Sequence, residues 1–75
     1  MTFSTRLKQL RLDHGLTQPQ LAITINITDR TLRNYESGKM EPTLSVITAI
    51  ANFFQVSADY LLCFTDDPSR HEGNN

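Results

Sequence analysis

Arg30, Arg33 and Asn34 fall within one short stretch, Thr28 to Glu36, of sequence TDRTLRNYE. Placed at 100° per residue, Leu32 and Tyr35 share one face with Thr28 beside them, while Arg30, Arg33 and Asn34 point the other way. A guanidinium can donate to both acceptors on the edge of guanine, and a carboxamide can pair with two positions of adenine. A helix buried on one side and bearing these three side chains on the other is suited to reading base edges. Two isolated arginines would ordinarily be a solvated helix face. Their placement opposite Leu32 and Tyr35, directly after a capped turn, favours the base-reading assignment. Tyr35 itself reads as core, its hydroxyl reaching a partner.

Other chemistries find little support. One cysteine, Cys63, cannot form an internal disulfide, and His14 and His71 stand too far apart to suggest a metal constellation. Following Leu61 and Leu62, Cys63 reads as packing and not as a nucleophile. No paired acid and base is evident, so neither an enzyme, a cofactor nor a small-molecule substrate is expected. No apolar run approaches the ~18 residues of a membrane span, and the N-terminus lacks a signal peptide's apolar stretch. A reduced, cytosolic setting without membrane contact is expected.

The net charge of −1 argues against a general basic coat, but its distribution is uneven. Residues 1–45 carry six cations against four acids, and residues 46–75 carry one cation against four acids. A phosphate-facing surface therefore belongs to the first half, unless the asymmetry is ordinary scatter.

The surrounding segments must hold that helix in place. Seventy-five residues make one domain, and a chain of this size buries only about 60% of its extended surface, so compact helices are required. Thr2 can cap a first helix whose apolar stripe is Phe3, Leu7 and Leu10, with Gly15 as its left-handed stop. Arg6 and Lys8 lie off the stripe and are expected in solvent. Arg11 lies beside Leu7 and Leu10 and needs a carboxylate partner. Thr17 and Gln20 form a capping box around Pro19, with Leu21, Ala22 and Ile25 facing inward. Gln18, at this exposed helix start, is available to a phosphate together with free backbone N–H groups.

Residues 23–28, Ile-Thr-Ile-Asn-Ile-Thr, alternate as a strand would. No second alternating run exists to pair with them, and an isolated strand leaves its backbone groups unsatisfied. Asn26 tolerates the left-handed region and Thr28 can cap, so a helix, a turn and a second helix fit better, with Ile23 left exposed. Gly38 and Pro42 then mark a loop. Thr43 caps a fourth helix running to about Gln55, with Leu44, Ile47, Ile50, Ala51 and Phe54 on one face and Val46, Ala49 and Phe53 on another. Ser57 caps a short last helix through Tyr60, Leu61 and Leu62. Residues 66–75 read as a frayed tail or the start of a linker.

Four motifs, L-x-x-L-R (7–11), G-L-T-Q-x-x-L-A (15–22), L-x-x-Y-E-S-G-K-x-x-P (32–42) and I-A-x-F-F-x-V-S-x-D-Y-L-L (50–62), closely resemble the Cro/phage-repressor type of helix-turn-helix domain, also called the XRE family. The resemblance spans about residues 3–64 and implies an all-α, compact five-helix lambda-repressor-like domain over residues 1–65. Its helices 2 and 3 would form the helix-turn-helix, with the third helix entering the major groove. It implies that Asp29, Arg30, Arg33 and Asn34 occupy base-reading positions. Gln18, Thr28, Ser37 and Lys39 match phosphate-contacting positions, Gln18 also buttressing the third helix. Arg11 and Glu36 match an internal salt bridge, which answers the placement of Arg11.

Departures from the pattern carry information. Asn26 and Gln55 stand where glycine is usual, so the end of the fourth helix is expected to be less sharply defined. Asp29 at the front of the third helix repels phosphate. It could accept from cytosine N4, pair internally with Arg33 at i+4, or mark a copy of the fold that binds something other than DNA. Val46, Ala49 and Phe53 form an apolar patch that either contacts a dimer partner or fills space beneath the Phe64 segment. The resulting expectation is a sequence-specific regulator of double-stranded DNA, a repressor of phage, mobile-element or bacterial type. A homodimer would bind two half-sites of a pseudo-palindromic operator about 34 Å apart. The alternative is a protein-interaction module, such as an antitoxin, on the same fold.

Overall fold

Five hydroxyl side chains open five helices. In the computed structural model, which describes residues 1–70, these are α1 (Phe3–Asp13), α2 (Gln18–Thr24), α3 (Asp29–Ser37), α4 (Leu44–Phe54) and α5 (Ala58–Leu61). Thr2, Thr17, Thr28, Thr43 and Ser57 sit in extended backbone, and each accepts a hydrogen bond from the N–H three residues on. Each cap satisfies a donor that the first turn leaves without an intrahelical partner. At α2 the box is reciprocal, the Thr17 N–H donating to Gln20 Oε1 at 2.9 Å. No strand occurs among the described residues.

The helix ends are equally uniform. Gly15, Asn26, Gly38, Gln55 and Cys63 all have φ between 58° and 82°. The next residue's N–H then reaches back five positions: Leu16 to Arg11, Ile27 to Ala22, Lys39 to Asn34, Val56 to Ala51 and Phe64 to Asp59, at 2.9–3.1 Å. With the shorter bonds from Gly15 to Leu12, Asn26 to Ile23, Gly38 to Tyr35 and Cys63 to Tyr60 they close Schellman motifs, and α4 ends in the same left-handed turn. The strand-like run 23–28 is resolved by the same device, with Asn26 at φ 61° and Ile27 turned back onto the body. Gln55 ends α4 as sharply as glycine would, contrary to the expectation from sequence, because the turn geometry is fixed by Val56 packing in the core. Left-handed backbone costs a non-glycine residue about 1–2 kcal/mol, part of which glycine returns in unfolded-chain entropy. Gln55→Gly is therefore expected to stabilise the domain by about 0.5–1 kcal/mol, read as a rise of a few degrees in the thermal midpoint.

The core takes one aliphatic side chain from each helix. Leu7, Leu21, Leu32, Ile50 and Leu61 are fully buried, surrounded by Leu10, Ala22, Ile25, Tyr35, Ile47, Ala51, Phe54 and Val56. Both α1 and α2 pack on α3, and the Phe3 and Tyr35 rings meet edge-on at 6.5 Å. The turn from α2 to α3 is thus clamped from two sides, and Ile23 is left 79% exposed as the pattern implied.

Two residues depart from expectation. Leu44, placed on the inward face of the fourth helix, is 84% exposed, because it is the first residue of α4 and projects past the body. Arg6, expected in solvent, is buried. Its guanidinium carbon lies 3.9 Å from the centroid of the Tyr60 ring, and its NH2 is 3.3 Å from Asp66 Oδ1. Burial disfavours the charge, but the Tyr60 and Asp66 side chains more than offset it, so the pKa stands above the ordinary arginine value. The sequence reading set residues 66–75 apart as a tail. Of these, 66–70 are irregular yet tied to the body: Ser57 N–H donates to Pro68 O at 3.1 Å, and Arg70 NH2 donates to Asn52 Oδ1 at 2.9 Å. Residues 71–75 lie outside the described residues.

Candidate nucleic-acid interface

The orientation of α3 decides what its side chains can touch. Leu32 and Tyr35 are buried, and Arg30 and Arg33 are exposed on the other flank with Asp29 and Asn34 half-buried beside them. The Asn34 carbonyl accepts from the N–H of Lys39 at 3.0 Å and of Met40 at 3.3 Å, which pins the following loop to the helix end. Lys39 is exposed on that loop, and Ser37 Oγ donates to the Asn34 carbonyl at 3.2 Å. The outward surface therefore combines planar hydrogen-bonding groups with a nearby cation. That combination suits a polyanion with readable edges.

A buried ion pair fixes the helix from behind. Arg11 Nε donates to Glu36 Oε2 at 2.7 Å and NH2 to Oε1 at 3.0 Å, both side chains being nearly inaccessible. Arg11 NH1 also donates to the Leu16 carbonyl at 2.9 Å, tying in the turn before α2. Gln18 Nε2 completes the set with a 3.1 Å bond to Glu36 Oε1. A bidentate fork with further hydrogen bonds to both partners is the arrangement in which a buried pair is tolerated. The pairing implied for Arg11 and Glu36 is present. Gln18, half-buried at the start of α2, thereby braces α3.

Thr28 Oγ1 accepts from Thr31 N–H at 3.0 Å and donates to Thr31 Oγ1 at 2.8 Å, so the hydroxyl caps α3 at an exposed position. Asp29 takes the internal option, its Oδ2 lying 3.0 Å from Arg33 NH1. Both partners are about half exposed, so in water the pair adds only about 0.3–0.5 kcal/mol to stability.

Val46 and Ala49 are partly buried against the core, and Phe53 is 40% exposed with its ring edge-on to Phe54 at 4.9 Å. Phe64 is itself mostly exposed. The Arg6–Tyr60–Asp66 cluster was missed from sequence, since its partners are separated by up to 60 positions and no local spacing marks them. No group of three or more metal-ligating side chains occurs among the described residues, and no helix there is long and apolar enough to cross a membrane.

Comparison with known proteins agrees with this geometry. A helix-turn-helix family model matches residues 7–61. The uncharacterized HTH-type transcriptional regulator YobD of Bacillus subtilis is 41% identical over 66 residues, covering 88% of this chain and 59% of the relative. The HTH-type transcriptional regulator ImmR of Bacillus subtilis is 37% identical over 62 residues, covering 83% and 49%. The chain thus spans about half the length of these curated relatives. The P22 c2 repressor, solved with a synthetic operator, superposes with a TM-score of 0.79 at 22% identity over 83% of this chain and 94% of that one. Five capped helices in this order, the matched residues and these relatives together place the chain in the Cro/phage-repressor (XRE) type of the helix-turn-helix family.

Proposed function

We propose that the protein binds double-stranded DNA sequence-specifically as a transcriptional repressor, reading the major groove with α3. One observation carries the reading: α3 is anchored through Leu32, Tyr35 and the Arg11–Glu36 pair while Arg30 and Arg33 remain exposed opposite. Arg30, Arg33 and Asn34 are the base-reading set. Gln18, Thr28, Ser37 and Lys39 are the phosphate-contacting set. The relatives' description as transcriptional regulators supports the same reading. One such module buries only about 600–1,000 Å² of protein surface, so useful affinity calls for a homodimer on two half-sites about 34 Å apart. The patch of Val46, Ala49 and Phe53 is the candidate dimer contact. Repression follows from occupying a promoter in the cytoplasm, with no chemistry performed on the DNA and no cofactor required.

Selection of bound duplexes from a random pool tests this, because it returns both a half-site and its spacing. On the selected site, Arg33→Ala is expected to lose about 1–3 kcal/mol of discrimination at one or two base pairs. Lys39→Ala is expected to weaken all sequences alike and to reduce the salt slope by about 1. Uniform loss in both variants, measured by titration at several salt concentrations, would remove the base-reading assignment. Absence of duplex binding at low salt would favour a protein-interaction role.

A further inference from the structure

The geometry points to Asp29 as a positioning residue that acts on DNA through Arg33, restraining that guanidinium so that it answers a base edge in preference to the phosphate backbone. The inference rests on the proposed reading of α3 and adds to it a cause of selectivity. Asp29 has two oxygens to offer. Oδ2 is taken by Arg33 NH1 at 3.0 Å, and Oδ1 is inaccessible and has no hydrogen-bond partner. Oδ1 is thus withdrawn from any base, and Oδ2 reaches the outside only as the partner of Arg33, so direct base reading by this carboxylate is disfavoured. Its effect must pass through the arginine.

That effect has two parts. A long, flexible cation at a protein–DNA boundary can settle on phosphates of any sequence. With NH1 tethered to the first residue of the same helix, the half-exposed guanidinium is drawn toward the N-terminal end of α3. A planar fork so restrained matches two acceptors on one base edge, whereas a phosphate gains less from the restraint. The second part is charge. Asp29 cancels one of the two arginine charges on the outward flank of α3, because the helix's other acid, Glu36, is committed inward to Arg11. The cost falls on every phosphate contact alike, and the orientation benefits one base pair. Together they raise the ratio of specific to non-specific affinity.

The test compares wild type, Asp29→Ala, Asp29→Asn, Arg33→Ala and the Asp29→Ala/Arg33→Ala double variant on the selected duplex and on random-sequence duplex, across salt concentrations. Removing the carboxylate frees about one phosphate's worth of counterion release. Random duplex is then expected to bind Asp29→Ala about 5–10-fold tighter at ~0.1 M salt, with a slope steeper by about 0.9. Discrimination at the Arg33 base pair is expected to fall about 2-fold in Asp29→Ala, the bias that a half-exposed pair of this kind can impose. Asp29→Asn, which keeps an acceptor for NH1 without charge, should show the steeper slope but retain more of that discrimination. The double variant should discriminate no worse than Arg33→Ala alone. Loss in Asp29→Ala at a different base pair, additive with Arg33→Ala, would overturn the inference and make Asp29 a direct reader. Unchanged salt slope and unchanged discrimination would overturn it as well. A wild type that selects no sequence would instead remove the underlying reading of α3, so the two failures are distinguishable.

Discussion

Replacing Arg11 with alanine is expected to destabilise the domain by about 3–5 kcal/mol, because Glu36 is then left charged in a site with almost no access to water. A protein of this length holds only about 4–11 kcal/mol in total, at roughly 0.05–0.15 kcal/mol per residue. Each kcal/mol moves the midpoint of a small domain by about 4–8 °C, so a fall of at least ~12 °C should be seen in a thermal melt followed by circular dichroism. Replacing both partners by apolar residues of similar size, Arg11→Met with Glu36→Leu, should recover much of that loss, since no orphaned charge remains. A recovery confined to stability would be informative. Glu36 also holds Gln18, and through it the start of α2, so the apolar pair should fold yet bind DNA less well than wild type. If Arg11→Ala melts within 2–3 °C of wild type, the pair is not a structural tie.

Leu32→Ala is expected to be of comparable size, about 3–5 kcal/mol, from lost transfer energy and the cavity left in the core. Leu32 is fully buried, on the helix against which both α1 and α2 pack. The next residue provides the contrast. Arg33→Ala on the exposed flank should change stability by no more than about 0.5 kcal/mol. Urea titration should therefore separate two adjacent positions by several-fold in unfolding free energy. Similar losses at both positions would mean that α3 is not mounted with one face in and one face out.

Much of this architecture was legible because its determinants are local. A hydroxyl followed by a free N–H three residues later is a self-contained signal, and all five caps were marked in that way. Asn26 was the informative residue in the strand-like run, since a side chain that tolerates the left-handed region ends one helix and lets Thr28 begin another. What sequence left open depends on distant partners or on which end of a helix meets the body. Arg6 reads as surface until Tyr60 and Asp66 are brought over it from the far end of the chain. Leu44 has the right spacing for the α4 core face but stands one turn too early to reach it. Asp29 admitted three roles on paper, and only the placement of its two oxygens favours one. Cys63 adopts the left-handed region without any compositional signal, because the Schellman turn after α5 needs that conformation whatever residue occupies it.

Methylation interference on the selected duplex tests the reading of α3 most directly, because N7 of guanine lies in the major groove and a methyl group there blocks a bidentate arginine. Wild-type binding should fail when a particular guanine in each half-site is methylated, and Arg33→Ala should become indifferent to methylation at that same guanine. Binding that ignores N7 methylation throughout, or an identical pattern in wild type and Arg33→Ala, would contradict major-groove reading by this helix.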